Sequence, residues 1–194
     1  MKLHLGCAND LKPGWRNVDC VPQAHQPGID FEQADLNLPW PWPISSVDAI
    51  LAHDLFEHIL DCQHVGGMVC PICDCVPQAH QTRAFHGQIH CLNESWRVLK
   101  PGGILDMKVP AVYLSDGQSG NPGAFCDPTH RTFWHEDIRY YICEEWNHPN
   151  GERGRLGPGM GIECLFKAHA VRTIDYGEGR EKRSKLCMLL EAVK

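Results

Sequence analysis

The run Val47-Asp48-Ala49-Ile50-Leu51-Ala52 narrows the possible folds more than anything else in the sequence. It is too short for a buried helix and too continuously apolar for a strand with one wet face, so it reads as a central strand covered on both sides. Residues 54–60 follow it with helix formers. Residues 91–99 place apolar side chains at helical spacing and stop at Pro101-Gly102-Gly103, after which residues 104–109 resume as a strand. Strand, helix and strand in succession specify an α/β architecture.

The remaining segments extend that pattern. Lys2-Leu3-His4-Leu5 is a short strand ending at Gly6, residues 15–18 are a second ending on Asp19, and residues 29–36 alternate like a half-buried third. Pro39-Trp40-Pro41-Trp42-Pro43 must be a loop, because proline removes a donor and fixes φ. A helix is expected over residues 134–146, a glycine-laden loop over 151–161, and two late strands over 163–176 and 186–193. A turn at Gly177-Glu178-Gly179 makes those two an antiparallel hairpin. The expected fold is thus a mostly parallel sheet with an antiparallel edge hairpin. The link from the first strand to the second is shorter than the dozen or so residues of an ordinary parallel crossover. An extended loop can still return along a short strand, so this crossover has lost its helix.

The 194 residues suit one domain, here residues 1–194, with room only for a small insert. A formal net charge of −6 makes the surface repel phosphate backbones, so nucleic-acid partners are disfavoured. The basic cluster Arg180-Glu181-Lys182-Arg183-Ser184-Lys185 is interrupted and reads as a solvated turn. No apolar run approaches the roughly 20 residues of a membrane span, and the N-terminus lacks a leader-like stretch, so a cytoplasmic location is expected.

Eleven cysteines are then expected as thiols or metal ligands rather than disulfides. They concentrate in residues 61–87, which read as a Cys/His-rich insert around Cys70-Pro71-Ile72-Cys73-Asp74-Cys75. A Cys-x-x-Cys turn offers two thiolates to one tetrahedral zinc ion. Cys75 and His86 complete the expected set of Cys70, Cys73, Cys75 and His86, with His80, Cys62, His64 and His90 as further donors. Such a polar insert could hardly bury a core without metal. The insert also carries Asp74-Cys75-Val76-Pro77-Gln78-Ala79-His80-Gln81, a copy of residues 19–26. One repetition is a local duplication, not a solenoid.

A strand ending in Gly6 lets backbone approach a ligand, and Asp19 at the next strand end can accept hydrogen bonds from ribose hydroxyls. With Asp35 after the third strand, the order is that of a nucleotide-type site at the carboxyl ends of parallel strands. At these residues the chain resembles class I S-adenosylmethionine-dependent methyltransferases, in a compact bacterial and phage branch. The blocks are Leu3-His4-Leu5-Gly6-Cys7-Ala8, Pro13-Gly14-Trp15-Arg16-Asn17-Val18-Asp19, Asp35-Leu36-Asn37-Leu38-Pro39-Trp40, Ser46-Val47-Asp48-Ala49-Ile50 with Glu57-His58, residues 93–103, and Asp127-Pro128-Thr129-His130-Arg131-Thr132-Phe133-Trp134. The resemblance implies a Rossmann-like methyltransferase sheet with reduced N-terminal helices. It implies that Gly6, Cys7 and Ala8 wrap the methionine end of S-adenosylmethionine, Asp19 holds the ribose, Asp35 and Leu36 border the adenine, and His53 faces the reacting methyl. Ala8 departs from the family, which has a second glycine there; a positive φ at this alanine would weaken cofactor binding.

Methyl transfer is an in-line displacement at an activated sulfonium carbon, so the enzyme mainly aligns a nucleophile and removes its proton. His53, Glu57, Asp127 and His130 are the candidate bases, with His53 and His130 preferred as catalytic. Ala52-His53-Asp54-Leu55 stands where amino-group DNA methylases resemble one another in an Asp/Asn-Pro-Pro-aromatic motif, and no Pro-Cys pair serves cytosine carbon methylation. The acceptor is expected to be a small molecule, sugar or peptide, met by Trp40, Trp42 and Trp134 near the mouth. The competing expectation is a methyltransferase-like binding module with a zinc-stabilised insert and no turnover.

Overall fold

A computed structural model describes residues 1–24, 26–60, 62–64, 83–85, 87–144 and 161–194. Its main sheet has seven strands: β1 (Lys2–Leu5), β2 (Arg16–Asp19), β3 (Asp30–Gln33), β4 (Val47–His53), β7 (Leu99–Pro110), β8 (Phe166–Tyr176) and β9 (Arg183–Ala192). A separate two-stranded antiparallel ribbon, β5 (Cys62–His64) and β6 (Arg83–Phe85), stands at the two ends of the Cys/His-rich segment. The main sheet runs in the order β3-β2-β1-β4-β7-β9-β8. The first five are mutually parallel and β9 is antiparallel to both neighbours, so the expected hairpin closes the sheet. The order in which successive strands are added reverses between β1 and β4, the switch point at which open α/β sheets bind ligands.

Alternation along the strands sets the core. Leu3, Leu5, Val18, Ile50, Ala52, Leu105, Met107, Leu186 and Leu190 are buried. Against them pack α1 (Gly87–Val98), through Leu92 and Val98, and the buried rings of Phe56 and Trp134. The first residue of α1 must be glycine, because a Cβ on Gly87 would sit 2.3 Å from the carbonyl oxygen of Ile59. Intervening positions carry His53, Asp106 and Lys108, all half-buried. This polarity fits crossovers without helices: among the described residues, neither residues 6–15 nor 20–29 contain one. Asn17, fully buried, braces the first of them. Its Oδ1 accepts from Lys12 N–H at 2.8 Å and faces His4 Nδ1 at 3.1 Å, while its Nδ2 reaches the carbonyls of Lys12, Trp15 and Asp30 at 3.1 Å each.

Several expected elements are corrected. Residues 54–60 form only a 3-10 turn over Phe56–His58, because Asp54 takes φ +53 and Ile59 is extended. The helix expected over 134–146 is a 3-10 turn at Glu136–Ile138 running into the single turn α3 (Arg139–Ile142). β3 ends at Gln33 rather than residue 36, since the Asp35 carboxylate accepts from the backbone and side-chain nitrogens of Asn37 and turns the chain. α1 ends at Val98 and β7 begins at Leu99, so Pro101-Gly102-Gly103 lies within the strand rather than between helix and strand. Trp40, Trp42 and Trp134 do not line a mouth: they are 3%, 4% and 0% exposed and belong to the core. Their indole N–H groups donate to Leu36 carbonyl, Glu32 and Thr132 respectively, which lets each ring be buried.

The block at residues 93–97 proves to be scaffold. Glu94 and Arg97 form a two-bond ion pair at 2.7 and 2.8 Å. Glu94 also accepts from Trp40 N–H, and Arg97 donates to the carbonyls of Trp40 and Trp42. The proline-rich loop is therefore strapped to α1.

Candidate active site

β1 and β2 end side by side. Leu5 is registered with Val18, so Gly6 and Asp19 occupy adjacent strand tips. Gly6 has φ +62, and a Cβ on it would lie 2.9 Å from Cδ1 of Leu55, so its lack of a side chain serves both the turn and that packing. Cys7 is buried, its N–H donates to Val18 carbonyl at 3.1 Å, and burial together with the Asp19 charge pushes its thiol up to about 11. It stays protonated at neutral pH. Ala8 takes φ +42, the left-handed conformation in which its methyl is strained, and its N–H donates to Asp19 Oδ2 at 2.8 Å. Asp19 Oδ1 accepts from Val21 N–H at 3.0 Å. The carboxylate thus ties down the loops after both strands. Each of its oxygens retains a lone pair that can accept from a hydroxyl.

After β3, Asp35 is exposed and Leu36 is buried. His53, the last residue of β4, is half-buried with Nε2 3.1 Å from Asp106 Oδ1 on β7. A proton shared on that side leaves Nδ1 as the free ring nitrogen.

A second group of side chains gathers where the 3-10 turn meets the segment after β7. Thr132 Oγ1 donates to Phe56 carbonyl, and Arg131 and Thr132 N–H both donate to Glu57 carbonyl. This clasp brings Glu57, His58 and His130 together, with one ligand atom from each inside a span of 4.8 Å. Glu57 is 1% exposed, its Oε2 has no hydrogen-bond partner, and burial, with the charges of Asp54 and Asp127 adding, pushes its carboxyl up to about 8. His130 Nδ1 lies 3.0 Å from Ala124 carbonyl. The Asp127 carboxylate is held below its usual range by the hydroxyl and N–H of Thr129.

His53, Asp127 and His130 were legible as candidates, and Glu57 was among them; the grouping of His58 with Glu57 and His130 was not. The adjacent Glu57-His58 pair opposite a distant histidine was its only trace in the sequence. The expected zinc ligands Cys70, Cys73, Cys75 and His86 lie outside the described residues. A groove of about 420 Å³ edged by Met1, Trp15 and Arg16 lies at the amino ends of the strands. Arg16 there is already paired with Asp30 and Glu32.

No family model and no curated protein matches the sequence. Solved structures do match in fold. A methyltransferase of Bacillus halodurans superposes with a TM-score of 0.56 at 11% identity, over 100% of this chain and 92% of that one. A chain of the complex between the Haloferax volcanii Trm112 methyltransferase activator and a methyltransferase gives 0.54 at 14%, over 100% and 82%. The N-methyltransferase NodS of Bradyrhizobium japonicum, in complex with S-adenosyl-L-homocysteine, gives 0.50 at 12%, over 100% and 78%. The fold is that of the class I S-adenosylmethionine-dependent methyltransferases. The [4+2]-cyclase SpnF also shares this methyltransferase fold, with a TM-score of 0.51 at 13% identity, so the architecture alone does not choose the reaction. Among the described residues no helix is long and apolar enough to cross a membrane.

Proposed function

We propose that the protein transfers the methyl group of S-adenosylmethionine to a small-molecule, sugar or peptide acceptor. The observation that carries this reading is the pairing of Gly6 and Asp19 on adjacent strand tips, with the Asp19 carboxylate hydrogen-bonded to Ala8 N–H and still able to accept from hydroxyls. The residues present fit the cofactor. Asp19 would hold the ribose, the residue 6–8 turn the methionine end, and Asp35 and Leu36 the adenine edge. When bound, S-adenosylmethionine supplies a methyl on a sulfonium leaving group.

The chain's own part is alignment and proton removal. His53, oriented by Asp106, is the candidate base and would take a proton from the acceptor at its free nitrogen. His130 belongs to the acceptor side of the same edge. On its segment Phe125 and Phe133, 59% and 49% exposed, stack with ring centroids 5.0 Å apart and form an apolar rim suited to a flat or ring-shaped acceptor. The Cys/His-rich insert is proposed to add a zinc-stabilised lobe, and the protein to work in the cytoplasm.

Calorimetry with S-adenosylmethionine and S-adenosylhomocysteine tests the reading. Binding of both, weakened at least tenfold by Asp19→Ala, is expected from loss of charge-assisted hydrogen bonds worth about 1.5–3 kcal/mol. Absence of binding by either ligand would leave a binding module without turnover.

A further inference from the structure

We infer that Glu57, His58 and His130 form a binding site for a divalent transition-metal ion, separate from the Cys/His-rich insert and beside the cofactor edge. Three observations meet there. One ligand atom from each side chain falls within 4.8 Å of the others, close enough to share an ion. Glu57 is 1% exposed, with Oε2 lacking any hydrogen-bond partner. A buried carboxylate without a partner is costly, and a bound cation removes that cost.

The third observation is how the histidines are held. His130 Nδ1 lies 3.0 Å from Ala124 carbonyl, which can only accept, so Nδ1 carries the proton and Nε2 keeps its lone pair. His58 Nδ1 lies 3.0 Å from Thr129 Oγ1 and 3.3 Å from Thr129 carbonyl. The Thr129 hydroxyl is already donated to Asp127 at 2.6 Å, so His58 Nδ1 must also donate, again freeing Nε2. A histidine whose outer nitrogen is fixed by a carbonyl or hydroxyl, leaving the inner one basic, is the arrangement metal ligands require. Free His58 Nε2 sits 4.0 Å from Glu57 Oε1, and free His130 Nε2 sits 3.7 Å from Asp127 Oδ2.

Two imidazoles and one carboxylate suit zinc, with cobalt, manganese or iron as competitors of the same donor preference. Three protein donors leave a position open, which Asp127 Oδ2, water or an acceptor oxygen can fill. His58 is about one-third exposed, so the ion is reachable from solvent. An acceptor hydroxyl or carboxylate bound there would be oriented toward the cofactor edge, and His53 rather than His130 would remain to take its proton. Metal binding itself does not depend on the methyl-transfer reading.

The test uses the full chain, stripped with chelator and titrated with Co²⁺. Visible d–d absorption reports nitrogen and oxygen coordination, whereas thiolate ligands of the insert add near-ultraviolet charge-transfer bands. The expected result is a component without charge transfer that disappears in His58→Ala and in Glu57→Gln, with one ion fewer per chain. Binding of S-adenosylhomocysteine, followed by calorimetry in the same samples, reports on the cofactor site separately. A spectrum showing charge-transfer bands alone, or a thiolate-free component that survives both substitutions, would overturn the assignment. His58→Ala removes a partly exposed ring and Glu57→Gln is isosteric; circular dichroism identifies any variant that has lost its fold, and the other then decides.

Discussion

Burial of Glu57 has a cost that pH should expose. Its carboxyl is raised from 4.5 to about 8, first by burial and then by the charges of Asp54 and Asp127. Between these values the unfolded chain has released the proton while the folded chain retains it, so stability falls as pH rises. The contribution is complete below about pH 4.5 and gone above about pH 8. At roughly 1.4 kcal/mol per pH unit, the window is worth at most about 5 kcal/mol. Glu57→Gln keeps the shape and removes the titration. In chelator, denaturant unfolding from pH 5 to 9 should show the wild type losing stability relative to the variant, with the two curves converging near pH 5 and separating by several kcal/mol near pH 9. Parallel curves would mean that the Glu57 carboxylate ionises in the folded protein as freely as in the unfolded one, and that its burial carries no such cost.

The strained Ala8 makes a second prediction: Ala8→Gly should stabilise the protein by about 1 kcal/mol and tighten S-adenosylhomocysteine binding, read by thermal unfolding and calorimetry. Asn17→Ala should cost about 2–4 kcal/mol in denaturant unfolding, since it strands His4, the Lys12 N–H and three carbonyls around the helixless crossover. His53→Gln should leave S-adenosylhomocysteine affinity unchanged while lowering turnover of an identified acceptor by roughly 10²–10⁴.

Period and punctuation were enough to read the strands, the edge hairpin and the missing first helix, because burial of β1, β4 and β7 dictates which residue types they carry. They failed where local chemistry overrides composition. Helix formers at 54–60 yield one turn, because Asp54 adopts a left-handed φ and the segment is instead clasped by Thr132 and Arg131. The tryptophans in the proline-rich loop looked like binding-site aromatics, but Glu94 and Arg97 pull that loop onto α1 and bury them. Gly6 and Asp19 were legible as the ends of β1 and β2, because a left-handed turn favours glycine and a carboxylate can accept from the backbone of the loops that follow. The Glu57, His58 and His130 cluster was not, since its members are brought together only by the packing of the β4 turn on the segment after β7.

Cofactor recognition by Gly6 and Asp19 is decided by a crystal structure with S-adenosylhomocysteine soaked or co-crystallised. Ligand density is expected across the tips of β1, β2 and β3, with both ribose hydroxyls on the carboxylate of Asp19 and the amino-acid end over residues 6–8. Density elsewhere on the protein, or an Asp19 carboxylate that remains bound to Ala8 and Val21 alone at saturating ligand, would contradict it.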